Sequence, residues 1–111
     1  MNKQAFIRVL KEICSDGVID DIPRLKVYET DGLTAKRQVP WLVVLPSTID
    51  EVQEIVRHCA KYQVPIVARG AGTGLSGGAI PQKGGIVLSL TRMKRILEVD
   101  VENRIAVVEP G

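Results

Sequence analysis

The chain has 111 residues, of which 45% are hydrophobic and 25% charged, with a formal net charge of +2. This is the size of one small domain, or part of a larger one, with enough apolar residues for a core. Aromatic residues make up 4% and no long basic run occurs, which excludes a nucleic-acid surface of interleaved cations and rings.

No apolar run approaches the roughly 18 residues of a membrane helix. Lys3, Arg8, Lys11 and Glu12 interrupt any signal-peptide stretch at the N-terminus. Cys14 and Cys59 have no metal-ligand spacing and read as reduced, partly buried core thiols of a cytoplasmic protein.

In chain order, Phe6, Val9, Leu10 and Ile13 stand at i, i+3, i+4 and i+7 and predict an amphipathic helix. Ser15, Asp16 and Gly17 should end it, with Gly17 in the left-handed cap position. Residues 18–37 have weak periodicity and read as irregular chain with a short helical turn. Residues 41–45, from Trp41 to Leu45, form an apolar run stopped by Pro46, a buried strand with Trp41 in the core. Thr48 and Glu51 have capping-box spacing. Val52, Ile55, Val56 and Cys59 continue as a second amphipathic helix to about Tyr62, with His58 at its surface or boundary and Asp50, Glu51 and Glu54 favoured by the helix dipole.

Residues 64–68 predict a second buried strand, with Pro65 at its start where no ladder donor is needed. Strand, helix and strand within about 30 residues form a βαβ unit with parallel strands. Residues 86–90 are a third apolar run. Residues 96–99 and 104–108 predict a hairpin around Asp100, Val101, Glu102 and Asn103. Arg92, Lys94 and Arg95 read as a solvated turn, with Arg92 a candidate to face a ligand. The final Glu109, Pro110 and Gly111 announce a change of direction, so further chain is expected.

The chemistry concentrates at residues 69–78, which hold five of the ten glycines. Such density raises the entropy cost of folding and needs a reason. Glycines permit positive φ and close approach of another group, and their N–H groups can converge on an anion. Hydrogen bonds to a charged group contribute about 1.5–3 kcal/mol each, enough together to offset ordering the loop. Arg69 adds charge, and Thr73 and Ser76 add hydroxyls. A plain flexible loop does not require five glycines between two buried strands. Residues 72–77 match G-x-G-x-x-G literally, but that motif must open a helix. Here Ala79, Ile80 and Pro81 follow, then Gly84 and Gly85, so the match is a decoy. No Gly-Lys-Ser/Thr closes a Walker loop.

The run from Val67 to Gly78 resembles the FAD loop of the p-cresol methylhydroxylase and vanillyl-alcohol oxidase flavoprotein superfamily. Within it, the chain is most similar to the FAD-linked subunit of glycolate oxidase and to D-lactate and D-2-hydroxyacid dehydrogenases. The likeness includes Tyr28 and Asp31, residues 44–47, residues 85–88, Arg92 and Met93, Arg95 and Ile96, Glu102 and Asn103, and residues 108–111. It implies an α/β (α+β) fold: an N-terminal helical and irregular segment over 1–37, then over 38–111 the first part of a two-part FAD-binding domain. It further implies that Pro46 lies near the adenosine half of FAD. Arg69, Gly70, Ala71, Gly72, Thr73, Gly74, Leu75, Gly77 and Gly78 would wrap the pyrophosphate. Relatives that bind flavin covalently carry histidine where this chain has Thr73, so FAD should be non-covalent.

The expected function is a flavin-dependent 2-hydroxyacid dehydrogenase or oxidase acting on a small hydroxy acid. No catalytic or metal-ligating residue can be assigned in these 111 residues, and the chain alone should be inactive and hold FAD weakly or not at all. Partner subunits or self-association are expected, with apolar surface exposed on residues 86–90 and 105–108. The competing reading is a non-catalytic module that binds a nucleotide or packs on a partner.

Overall fold

The computed structural model describes residues 2–30, 32, 36–74 and 77–111. The elements in order are α1 (Lys3–Ile13), β1 (Val18–Ile19), α2 (Ile22–Leu25), a 3₁₀ turn (Lys26–Tyr28), β2 (Leu42–Val44), α3 (Ile49–Lys61), β3 (Ile66–Arg69), β4 (Ile86–Ser89), β5 (Ile96–Asp100) and β6 (Ile105–Val108). The fold is α/β, and among the described residues no helix is long and apolar enough to cross a membrane.

Both long helices form where the apolar spacing put them. Asn2 caps α1 through its side chain. Thr48 and Glu51 cap α3 reciprocally: Glu51 N–H donates to Thr48 Oγ1 at 3.1 Å, and the Glu51 carboxylate accepts from the backbone of Ser47 and Thr48. Gly17 is not left-handed; Cys14 ends α1, and among the described residues the positive-φ glycines are Gly72, Gly77 and Gly84. Gly17 is needed for proximity instead. Its carbonyl accepts from Leu45 N–H at 2.7 Å, and a Cβ there would stand 2.6 Å from the Leu45 carbonyl oxygen.

The main sheet has the order β1-β2-β4-β3, with β1 antiparallel and the other three parallel. The two strands of the βαβ unit are parallel as expected, but they are not neighbours. β4 inserts between them, pairing Ile86 with Leu42 on one side and Ile66 on the other. That insertion moves β3 to the edge. The expectation of a buried second strand fails there: Ile66 is 36% exposed, and Ala68 is exposed too. β4 is buried throughout, so residues 86–89 do not form the exposed apolar surface expected of them.

Strand alternation gives the sheet two covered faces. Leu42, Val44, Ile86 and Leu88 pack against Phe6, Leu10, Ile55 and Cys59 of α1 and α3. Val43 and Val87 pack with Leu25, backed by Ile19, Tyr28, Val39 and Val67. Residues 18–28 are therefore more ordered than their weak periodicity suggested, and they cover the second face. Trp41 is only partly buried, 5.4 Å from the Phe6 ring and under Lys3.

β5 and β6 form a separate antiparallel hairpin, as expected, with Arg104 at φ 55 closing its turn. Nearly all of it is exposed, including Ile96, Leu97, Val99, Ile105, Val107 and Val108.

Candidate cofactor-binding site

Because β2, β3 and β4 run parallel, their carboxyl ends emerge on one side of the sheet. Three connections follow them there: Leu45 to Thr48 after β2, the glycine segment after β3, and Leu90 to Met93 after β4. Open parallel sheets bind ligands in this place. Leu90 N–H donates to the Arg69 carbonyl at 2.8 Å and pins the start of the glycine segment to β4.

The N-terminus of α3 also lies at this end, but its own capping box occupies it. Asp50 and Glu51 add negative charge to its first turn. An anion is therefore better served by the glycine segment than by the helix.

Gly72 and Gly77 have φ of +74° and +76°, a region costly for side chains. Gly70, Gly74 and Gly78 lie outside that region, and a Cβ on any of them would meet no atom of the described residues, chain neighbours aside, within 4 Å. Packing within the chain does not demand glycine at these three positions. What a side chain would obstruct is the open space beside the loop.

Arg69 does not extend freely into that space. Its guanidinium donates to the Thr30 carbonyl at 2.7 Å, lies 5.2 Å from the Tyr28 ring centre, and fills the position where a Gly72 side chain would stand. The positive charge stays within the loop, against Gly72. Ala71 and Thr73 are exposed. Leu75 and Ser76 lie outside the described residues. Pro46 is fully buried and supports the turn after β2 instead of offering surface.

Several other titratable side chains are occupied by contacts within the fold. His58 packs on Phe6, 4.3 Å between rings. Cys14 and Cys59 are free and buried, and burial raises both thiol pKa values, that of Cys59 to about 11. Arg92 pairs with Asp16 at 2.9 Å and Arg95 with Glu109 at 2.9 Å. Among the described residues no cluster of His, Cys, Asp or Glu is suited to a metal. A separate apolar concavity of about 580 Å³ lies between α3 and the hairpin, lined by Ile49, Val52, Leu88, Met93, Leu97 and Val108 among others.

Tyr28, Thr30 and Gly32 were not candidate site residues by type or spacing, yet they support the loop. Tyr28 drew notice only within the family resemblance, because a lone tyrosine in irregular chain carries no periodic signal.

Parallel strand ends, a glycine loop with open space beside it and a guanidinium within it define a domain for a phosphate-bearing cofactor. Comparison with known proteins makes that class particular. Residues 40–111 match the model of the FAD binding domain family. The chain is 50% identical over 84 residues to the glycolate oxidase subunit GlcD of Escherichia coli, covering 76% of this chain and 17% of that protein. It is 45% identical over 98 residues to D-lactate dehydrogenase of Archaeoglobus fulgidus, covering 85% and 22%. Among solved structures, 4-ethylphenol oxidase from Gulosibacter chungangensis superposes with a TM-score of 0.82 at 30% identity, covering 100% of this chain and 23% of that one. The chain belongs to the FAD binding domain family, whose cofactor is FAD. It spans less than a quarter of the length of these relatives.

Proposed function

We propose that this chain supplies the first wall of the FAD site in a flavin-dependent 2-hydroxyacid oxidoreductase. Its segment 69–74, with Gly77 and Gly78, holds the pyrophosphate. Pro46 shapes the adenosine side from beneath, and Leu75 belongs to the same contact. The observation that carries this reading is the open space beside Gly70, Gly74 and Gly78, at the carboxyl ends of parallel strands. A pyrophosphate approaches a backbone closely only where no Cβ intervenes. The Arg69 guanidinium, set against Gly72, supplies the matching charge.

Bound FAD supplies the redox chemistry, accepting a hydride from the α-carbon of a small 2-hydroxy acid. This chain's residues bind and orient. The names of the glycolate oxidase and D-lactate dehydrogenase relatives support the substrate class. Thr73 stands where covalent relatives carry histidine, so the flavin is held without a bond. Residues 1–111 alone contact one side of the cofactor, bind it weakly and are inactive. The exposed apolar hairpin supports association with further protein, and a cytoplasmic location belongs to the same proposal.

Gly74→Val in the whole oxidoreductase tests the site. A Cβ at Gly74 meets no atom of the described residues beyond its chain neighbours within 4 Å, so the apoprotein should keep its melting temperature while flavin per mole of protein falls at least about tenfold. Unchanged flavin content would refute the loop's role. Acid precipitation tests attachment: all the yellow colour should leave the pellet, and colour retained there would mean a covalent link.

A further inference from the structure

The segment that matches the family begins at residue 40, yet part of what shapes its glycine loop lies upstream. Val67 and Arg69 share one face of β3, the face that packs against Tyr28 and Val87. Alternation therefore sends the Arg69 side chain toward residues 28–30 and not toward α3. There its Nη1 donates to the Thr30 carbonyl at 2.7 Å, and its Cζ lies over the Tyr28 ring, 5.2 Å from the centroid. The same guanidinium seats Gly72 from below. Two residues further along, the Gly74 carbonyl accepts from Gly32 N–H at 2.7 Å. The upstream stretch thus holds the loop directly at Gly74 and, through Arg69, beside Gly72.

That stretch is itself anchored. Tyr28 packs against the core containing Leu25, Val43 and Val87. The Glu29 carbonyl accepts from Gln38 N–H at 2.8 Å, and Arg37 stands 3.9 Å from the Glu29 carboxylate.

We propose that residues 28–30 and Gly32, acting through Arg69, form a strap that fixes the conformation of residues 70–74, so that FAD affinity depends on Tyr28 as a positioning residue. The inference rests on the flavin reading for its functional half. Its structural half, ordering of the loop, stands apart. Arg69 serves here as a planar group that must stack and donate at once. A lysine supplies the charge but not the plane.

Two measurements on Tyr28→Ala, Tyr28→Phe and Arg69→Lys decide it. The first is amide hydrogen exchange in the cofactor-free protein. Tyr28→Ala and Arg69→Lys should speed exchange at residues 70–74 while β2 and β4 keep their protection, and Tyr28→Phe should restore the parental rate. Unchanged exchange at 70–74 in Tyr28→Ala overturns the strap. So does equal loosening of β2 and β4, which would make Tyr28 an ordinary core residue.

The second is titration of the whole oxidoreductase, stripped of its flavin, with FAD. Tyr28→Ala and Arg69→Lys should each raise Kd by about tenfold or more, with Tyr28→Phe near the parent. Parental affinity in Arg69→Lys would show that Arg69 acts by charge alone and overturns the link to affinity. If the whole oxidoreductase itself takes no FAD, the flavin reading and that link fall, while the exchange data still decide the strap.

Discussion

β4 and β6 are written in nearly the same alphabet and have opposite fates. Ile86–Ser89 and Ile105–Val108 are each four residues long and rich in β-branched side chains. Every residue of β4 is buried, whereas Ile105 is 55% and Val108 57% exposed. The difference lies in their neighbours. β4 is hydrogen-bonded on both edges and covered on both faces, while β6 has one partner in a two-stranded sheet. Such a hairpin is marginal by itself. This one is tied at its open end, where Arg95 and Glu109 exchange main-chain and side-chain bonds. Asp100 and Asn103 brace its turn. A strand's composition states that it prefers an extended backbone; its place in the sheet decides what its side chains are worth.

The sharpest way to break this comparison is to put a charge in both strands. Val87→Asp buries a carboxylate between two covered faces, with a cost of several kcal/mol that exceeds what a small domain can spare. It should abolish cooperative unfolding by circular dichroism. Ile105→Asp should leave the melting curve close to the parent and reduce self-association in light scattering. If the two variants behaved alike, the hairpin would be as buried in solution as β4.

A gentler version removes methyl groups. Ile86→Ala, at a fully buried position, should cost about 2–5 kcal/mol in urea denaturation. Val108→Ala should stay within about 1 kcal/mol. A large cost at Val108 would mean that its contact with the apolar concavity beside α3 matters more than its exposure indicates.

The smallest effect concerns the margin of the core, at the seam between α1 and α3. His58 stacks on Phe6 and meets Tyr62 edge-on at 5.1 Å, and its Nε2 is buried without a hydrogen-bond partner. Burial lowers its pKa; the Lys61 ammonium acts in the same direction, and a hydrogen bond to the Phe6 backbone opposes both. A histidine depressed in the folded state stabilises fully above its ordinary value of about 6.5. As pH falls through that value the unfolded chain takes up a proton that the folded seam resists, so stability declines until the depressed value is reached. The melting temperature should therefore drop modestly between about pH 7 and pH 5, and His58→Phe should flatten that slope. Asp16 and Glu109, held below the usual carboxylate range by Arg92 and Arg95, lose their contributions only at lower pH. A slope that survives His58→Phe would assign it elsewhere.

The candidate site could be proposed from sequence because its signals are local. Five glycines after an apolar run announce a loop that something approaches, and Thr48 with Glu51 announces a helix start regardless of what surrounds it. The decoy G-x-G-x-x-G was recognisable for the same reason, since the residues after it cannot begin a helix. Less legible were Gly17, whose role is contact with Leu45, and residues 18–28, whose order comes from covering a sheet face. A pattern search sees neither, because the partner lies far along the chain.

By itself the sequence determined the identity of β2 to β6 and of the long helices, the capping box of α3, the hairpin turn and the glycine segment, because each depends on residues within a few positions of one another. The tertiary structure alone decided that β4 enters between β2 and β3, and with it which strands are buried. It alone turned Arg69 onto Tyr28, since the direction of that side chain follows from the face of an edge strand and from what covers it. Strand order and facing partners are long-range choices, set by how the whole chain buries its apolar surface, and no window of sequence contains them.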